Sequence, residues 1–400
     1  MTAPRGRPDS GSAGHIFSEN LMPREPNAVD FWRGFALITI FVDHVPGIIY
    51  ARYTLGNFSI TDAADLFVFL AGWSLRLMAD GGGRQRPTRD MVMRLFGRAF
   101  EIYTAQILIT MLAIAILAAS AILLHNPLLL QWHNAAAVFA DPVQTNIGLV
   151  LLTHQLGYFN ILPLYVVLMM MAPAYAALDR YAPALVLPVS LAIYLFVLAF
   201  RITLPSWPES NSWFFNPFAW QLIFILGFVL AKPNRGIGAW TRRYIVPLRI
   251  IGFPLAVSGV LMQLLHWWPD PTTVPDPKLF FLANKTYATP IRLLVFLGMV
   301  AVFSLAFRYI RMLTDVPVLR PPSKGLIWLL SLLGRNSLYV FCVGSLLSLL
   351  AQVARYVYHG SVGSDSAVVV IGIAVMAYIA WLAESRNRSG PATQGSPPRS

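Results

Sequence analysis

Residues 30–50 read DFWRGFALITIFVDHVPGIIY. The stretch is apolar enough to cross a bilayer, whose core takes about 20 residues of helix. Yet it carries Asp30, Arg33, Asp43 and His44, followed by a Pro46–Gly47 break. Ionisable groups at membrane depth are costly and face a protein interior or a wet cavity. A span with four of them reads as one wall of a site.

Similar apolar stretches recur along the chain. Ten are expected, at about 31–50, 62–80, 99–124, 158–178, 184–201, 214–231, 245–266, 289–310, 336–356 and 366–384. The composition agrees: of 400 residues 56% are hydrophobic and only 12% charged, about half the charge of a soluble domain. The fold class is therefore an all-α polytopic membrane protein, a bundle of about ten transmembrane helices. Segment 146–157 is too short to span and reads as a re-entrant or interfacial lead into the next helix. Segment 323–333 reads as a surface helix.

Basic residues give the orientation, because cytoplasmic loops are enriched in Lys and Arg. Alternate loops hold 22 basic residues on the side shared by the termini and six on the other. Both termini are thus expected in the cytoplasm. The net charge of +12 follows from this loop bias, and no nucleic-acid partner is expected. The lone Cys342 excludes an intramolecular disulfide and any cysteine-based metal site. No other metal-ligand spacing is present. Residues 1–28 and 385–400, rich in Ser, Gly, Pro and Arg, read as disordered cytoplasmic tails around one domain at 29–384. No cleavable signal is expected at the start of the chain.

The outer loops differ in character. Residues 125–157 lack Lys and Arg, and Trp132, Trp207, Trp213, Trp267 and Trp268 fall at or beyond the outer membrane edge. Tryptophan at that depth reads as an interfacial anchor or as a platform for sugar.

Several residues carry potential chemistry. Arg33 and His44 are eleven apart, which in a helix is about 20° past three full turns and about 16 Å along the axis. Both then project from one face, Arg33 at the inner headgroup level and His44 deeper, toward the outside. Arginine suits a phosphate or carboxylate, and histidine is a natural general base. Pro46 removes a backbone donor and opens the helix beside His44, while Asp43 is expected to brace another helix and Asp30 to brace Arg33. In the second span, Asp62 and Asp65 share a face, and Asp65 is expected at a depth to orient His44. Arg94 and Arg98, with Arg76 and Arg89 nearby, gather at the inner mouth. They read either as anchors for a phosphorylated donor or as simple loop bias.

These motifs resemble those of the acyltransferase-3 superfamily. Asp30 to Ala36 followed by His44 is similar to its D-x-x-R-G-x-A start and R-x10-H spacing. Asp65 to Gly72 is similar to its D-L-F-F-V-L-S-G span. Arg94 to Tyr103 is similar to its arginine segment ending in P-x-Y, and Leu333 to Phe341 to its late G-x-x-S-x-x-Y segment. The strings FVDHVPG, FSITDAADLFVFLAG, FNILPLY and LGRNSLYVF resemble the OpgC family in particular, whose members succinylate osmoregulated periplasmic glucans. Ala71 stands where serine is usual and Glu101 where proline is. No histidine follows Tyr339, so no catalytic residue carries over to that span.

The resemblance implies a multi-pass enzyme of the bacterial inner membrane. Acyl-CoA, with succinyl the acyl group of the family, would dock from the cytoplasm as a donor substrate and not as a permanent cofactor. A periplasmic glucan would accept. His44 and Arg33 match the family's essential histidine and its paired arginine. The expected set is then His44, Asp65 and Arg33 for catalysis, with Arg33, Arg94, Arg98 and Arg76 at the donor. Absence of a Ser–His or Cys–His pair favours direct transfer. The alternative is a proton-coupled transporter using intramembrane His and Asp, which calls for a second broken helix in a related half.

Overall fold

The computed structural model describes residues 26–79, 87–232 and 234–388. Helices stand at all ten expected positions, joined by one further long helix. They are α1 (Ala28–Asp43), α2 (Ala63–Ala79), α3 (Thr88–Leu123), α4 (Ile161–Tyr181), α5 (Val186–Phe200), α6 (Pro217–Leu230), α7 (Ile245–Leu264), α8 (Pro290–Phe303), α9 (Arg320–Arg335), α10 (Ser337–Tyr358) and α11 (Val362–Arg388). Seven helices, built on α3, α4, α5, α7, α8, α10 and α11, are long and apolar enough to cross a membrane. The others at expected spans, α1, α2 and α6, have 16, 17 and 14 residues. The described strands form one short hairpin, Pro205–Ser206 with Asn211–Ser212.

The first helix shows how local chemistry sets its ends. Asn27 Oδ1 accepts the Asp30 N–H at 2.9 Å, satisfying one orphan donor of the first turn, and Asn27 Nδ2 donates to Asp30 Oδ2 at 2.7 Å, which holds the capping side chain in place. Asp30 thus bonds to Asn27, and its charge also acts favourably on Arg33 without a direct ion pair among the described residues. At the far end the helix stops at Asp43, seven residues short of the expected Tyr50. Pro46 cannot donate a helical bond, and Gly47 takes φ +77°, which turns the chain away. A 3-10 helix over Ile49–Tyr53 follows.

Glycines let the central helices touch backbone to backbone, as is common where lipid offers no hydrophobic drive. A Cβ on Gly34 of α1 would overlap the Leu330 carbonyl of α9, and one on Gly334 would overlap the Asp30 carbonyl. Helix α9, expected as a surface helix, is thus clasped to α1, and its Ile327 and Leu330 bury with Phe31. Gly72 of α2 and Gly227 of α6 make the same close crossing against Phe224 and Phe69. Gln221 ties α6 to two neighbours: its Oε1 accepts from Tyr175 at 2.7 Å and from Ser190 at 2.6 Å. Around these sits the core, with Phe41, Phe159, Trp220, Phe224, Phe228 and Phe341 fully buried.

The periphery is apolar. The crossing stretch of α4 is 67% buried, but those of α7 and α11 are only 17% buried. Their Ile250, Phe253, Val370 and Ile371 are exposed, as on a lipid-facing surface. Residues 142–150 form a short helix before the fourth expected span, in line with a lead-in segment. The last helix runs to Arg388, past the expected boundary at 384. The tails expected at 1–28 and 385–400 otherwise lie outside the described residues.

Candidate active site

Two polar chambers occur at the two ends of α1. The first measures about 530 Å3 and is lined by Arg33, Ser74, Arg94, Arg98, Glu101 and Tyr165, among others. Arg33 is half-buried and held by α2 and α10: it donates to Ser337 Oγ and, at 3.5 Å, to Ser74 Oγ. Its Nε–H is buried with no partner among the described residues. Arg98 donates to Glu101 at 2.7 Å. Three arginines against one glutamate leave this chamber cationic, suited to an anion.

The structure thus brings Arg33, Arg94 and Arg98 together as expected, but not Arg76. Arg76 forms an ion pair with Asp179 and lies over the Phe228 ring, 5.2 Å from its centre. Asp179 also holds Lys232 at 2.5 Å. A carboxylate so close captures the guanidinium, which makes Arg76 a brace between helices outside the chamber lining.

The second chamber, also about 530 Å3, is lined by Asp43, His44, Asn57, Asp62, Tyr158, Asn160, Phe214, Phe215 and Lys285, among others. His44 caps α1, its N–H bonded to the Ile40 carbonyl at 3.2 Å. The imidazole stacks on Tyr158, ring centres 4.3 Å apart and 17° between planes. Its Nδ1 is buried without a hydrogen-bond partner among the described residues.

Three segments fix this arrangement. Tyr158 donates to the Ser345 carbonyl at 3.2 Å and meets His133 edge-on at 4.6 Å. His133 Nε2 is 2.8 Å from Gln352 Oε1, and Gln352 Nε2 donates to the His44 carbonyl at 2.6 Å. Gly157, at φ +28°, lies against the His133 ring, where a Cβ would overlap it. Burial pushes the His133 pKa below the ordinary histidine value, partly offset by its bond to Gln352. His133 therefore sits in its niche as a neutral ring.

Asp65 does not meet His44. Its carboxylate is completely buried and bound by Arg292, with Nε to Oδ1 at 3.1 Å and Nη2 to Oδ2 at 2.5 Å. It also accepts the Asp62 N–H at 2.9 Å. A buried carboxylate needs its full complement of donors, and Arg292 from α8 provides a bidentate partner that the imidazole cannot match. Asp62 is the acid that faces the chamber. It pairs with Lys285, accepts the Ala64 N–H at 2.9 Å and lies 3.3 Å from Arg292 Nη2. Asp43 accepts from Thr54, a local brace near the chamber wall.

Lys285, Tyr158, His133 and Gln352 were absent from the expected set. Gln352 had a readable signal, an amide inside an apolar span. Lys285 sits in a loop among other polar residues, and its contact with Asp62 is purely tertiary.

Helices fit to cross a membrane, enclosing one cationic chamber and one lined by amides, carboxylates and aromatic rings, define a multi-pass membrane protein with a polar chamber at each end of α1. The family model described as OpgC protein matches residues 24–388, and the chain belongs to that family. Membership implies a transferase that modifies glucan at a membrane. Among curated proteins there is no match.

Proposed function

We propose that this protein is an O-acyltransferase of the bacterial inner membrane. It moves an acyl group, succinyl by family likeness, from cytoplasmic acyl-CoA to hydroxyls of a periplasmic glucan. The observation that carries the proposal is that one helix, α1, delivers Arg33 to a cationic chamber and His44 to one lined by carboxylates, amides and aromatic rings. In the proposed topology the chain crosses ten times with both termini cytoplasmic. The cationic chamber then opens inward.

The residues take distinct roles. Arg33, Arg94 and Arg98 bind the phosphates of the donor, which is a substrate and leaves after each turnover. At the other end the imidazole of His44 accepts the proton of a glucan hydroxyl as its oxygen attacks the thioester carbonyl. The tetrahedral adduct collapses, the C–S bond breaks, and the proton passes to the departing thiolate of CoA. No acyl-enzyme is needed. Asp65 acts at one remove, by holding Arg292 against Asp62 and the Ile60 carbonyl.

The test is CoA release by purified protein offered several acyl-CoAs, with and without glucan. Release that requires both glucan and His44, and falls on the order of 100-fold or more in His44→Ala, is expected. Equal release by the variant at equal protein level would remove His44 from the chemistry. Proton-coupled uptake without any acyl-CoA would instead favour transport.

A further inference from the structure

Beside the His44 chamber lies a smaller one of about 290 Å3, lined among others by Ser59, Gln263, Trp268 and Arg292. Both chambers have Gly56, Asp62 and Lys285 in their walls. They are neighbouring compartments of one groove, and the Asp62–Lys285 ion pair stands where they meet.

The charges in this region are answered internally. Lys285 is paired with Asp62, and Arg292 with Asp65. The smaller chamber therefore has little pull on an ion. What it offers is neutral: the Gln263 amide and the Trp268 indole N–H have no protein hydrogen-bond partner among the described residues. Trp268 is 44% exposed and lines the chamber, whereas its neighbour Trp267 is 74% exposed and does not. An interfacial anchor has no reason to line a polar compartment, so the two tryptophans have different duties.

An indole, an amide without a protein partner among the described residues and a carboxylate–ammonium pair form a set that suits sugar. The ring C–H face packs on indole. Vicinal hydroxyls donate to Asp62 and accept from Lys285, and the amide serves either need. At about 30 Å3 per water, 290 Å3 is the space of about ten waters, room for one pyranose ring, while the larger chamber holds about eighteen.

We infer that the smaller chamber is a second sugar subsite, holding the unit of the acceptor chain next to the one presented to His44. It rests on the acceptor role proposed above. The active site then reads two units at least, and Trp268 is its specificity determinant for chain over free monosaccharide.

The test uses the full-length protein in detergent, without acyl donor. Binding of glucose and of α- and β-linked glucose disaccharides is followed by calorimetry or ligand-observed NMR. One disaccharide should bind about tenfold more tightly than glucose. Trp268→Ala should remove that gain and leave glucose binding unchanged, Gln263→Ala should reduce it, and Trp267→Ala should preserve it. Equal affinity for glucose and disaccharides, or equal effects of the two tryptophan variants, overturns the subsite. Failure of every sugar to bind overturns the subsite together with the acceptor role of the larger chamber.

Discussion

The imidazole of His44 lies flat on the phenol ring of Tyr158, with 4.3 Å between centres. The contact fixes the plane of the ring and leaves its edge nitrogens for other partners. Aromatic pairs of this kind contribute about 0.5–1.5 kcal/mol beyond burial. Replacing Tyr158 by Phe keeps the stack and drops the hydroxyl's bonds to the Ser345 carbonyl and to Gln352. Acyl transfer should then fall a few-fold, whereas Tyr158→Ala should cost more than about tenfold. Steady-state rates of both variants, normalised to folded protein, decide the matter. Equal losses would mean that the hydroxyl and not the stack is what counts.

Arg292 and Asp65 invite a stability test. Removing one partner of a buried pair leaves an uncompensated charge and costs about 3–5 kcal/mol. Arg292→Met alone should therefore lower the thermal midpoint in detergent sharply. Adding Asp65→Leu should restore much of it. A single variant as stable as the parent would show that Asp65 does not depend on Arg292.

The cationic chamber should show itself in the kinetics. Arg94→Ala with Arg98→Ala should raise KM for acyl-CoA by tenfold or so, with kcat much less affected, because distant binding groups act equally on ground and transition states. The weakening should also flatten the salt dependence of KM. A pure kcat effect would place these arginines elsewhere in the cycle.

Gly157 is a conformational test. Its φ of +28° and its contact with the His133 ring leave no place for a methyl group. Gly157→Ala should destabilise the 125–157 segment by about 1–3 kcal/mol and release His133 from Gln352. Proteolysis within residues 125–157 should accelerate in the variant, while an unchanged digestion pattern would contradict the packing.

Two loop histidines, buried His154 and half-buried His133, predict a pH response. Burial is the first cause of the lowered pKa of both His133 and His154, the latter opposed by Glu209 at 3.4 Å. The unfolded chain then binds more protons than the folded one in the window below the ordinary histidine value. Stability is present above about pH 6.5 and falls as the pH drops below it. A thermal midpoint that declines between pH 7 and 5, with a shallower decline in His133→Gln, is expected. A midpoint that rises on acidification would reverse the sign.

The helix positions were legible because apolar runs of bilayer length leave few alternatives. Where the reading failed, tertiary contacts decided. The apolar run to Tyr50 hides the end of α1, because a Pro–Gly pair reads equally as a kink or a stop, and the helix stops at Asp43. Arg33, Arg94 and Arg98 could be grouped from their shared depth, but the same reasoning included Arg76, since depth does not reveal Asp179. Asp65 was placed near His44 by height along its own helix. Height carries no information about azimuth, and Arg292, counted merely as an outer basic residue, lay on the side that Asp65 faces. Tyr158 and Lys285 had no periodic signal at all. Chain reversals brought them to the site.

Helix α1 is a strut of fixed length. The helix is clasped at Gly34 and Gly334 and tied at its other end through Gln352, so it cannot telescope. Arg33 and His44 are then the two marks of a ruler about 16 Å long. A donor gripped by its phosphates at one mark reacts at the other only if its arm has that reach. In the proposed reaction, a truncated thioester with the same acyl group but no long arm would be anchored or reactive, never both.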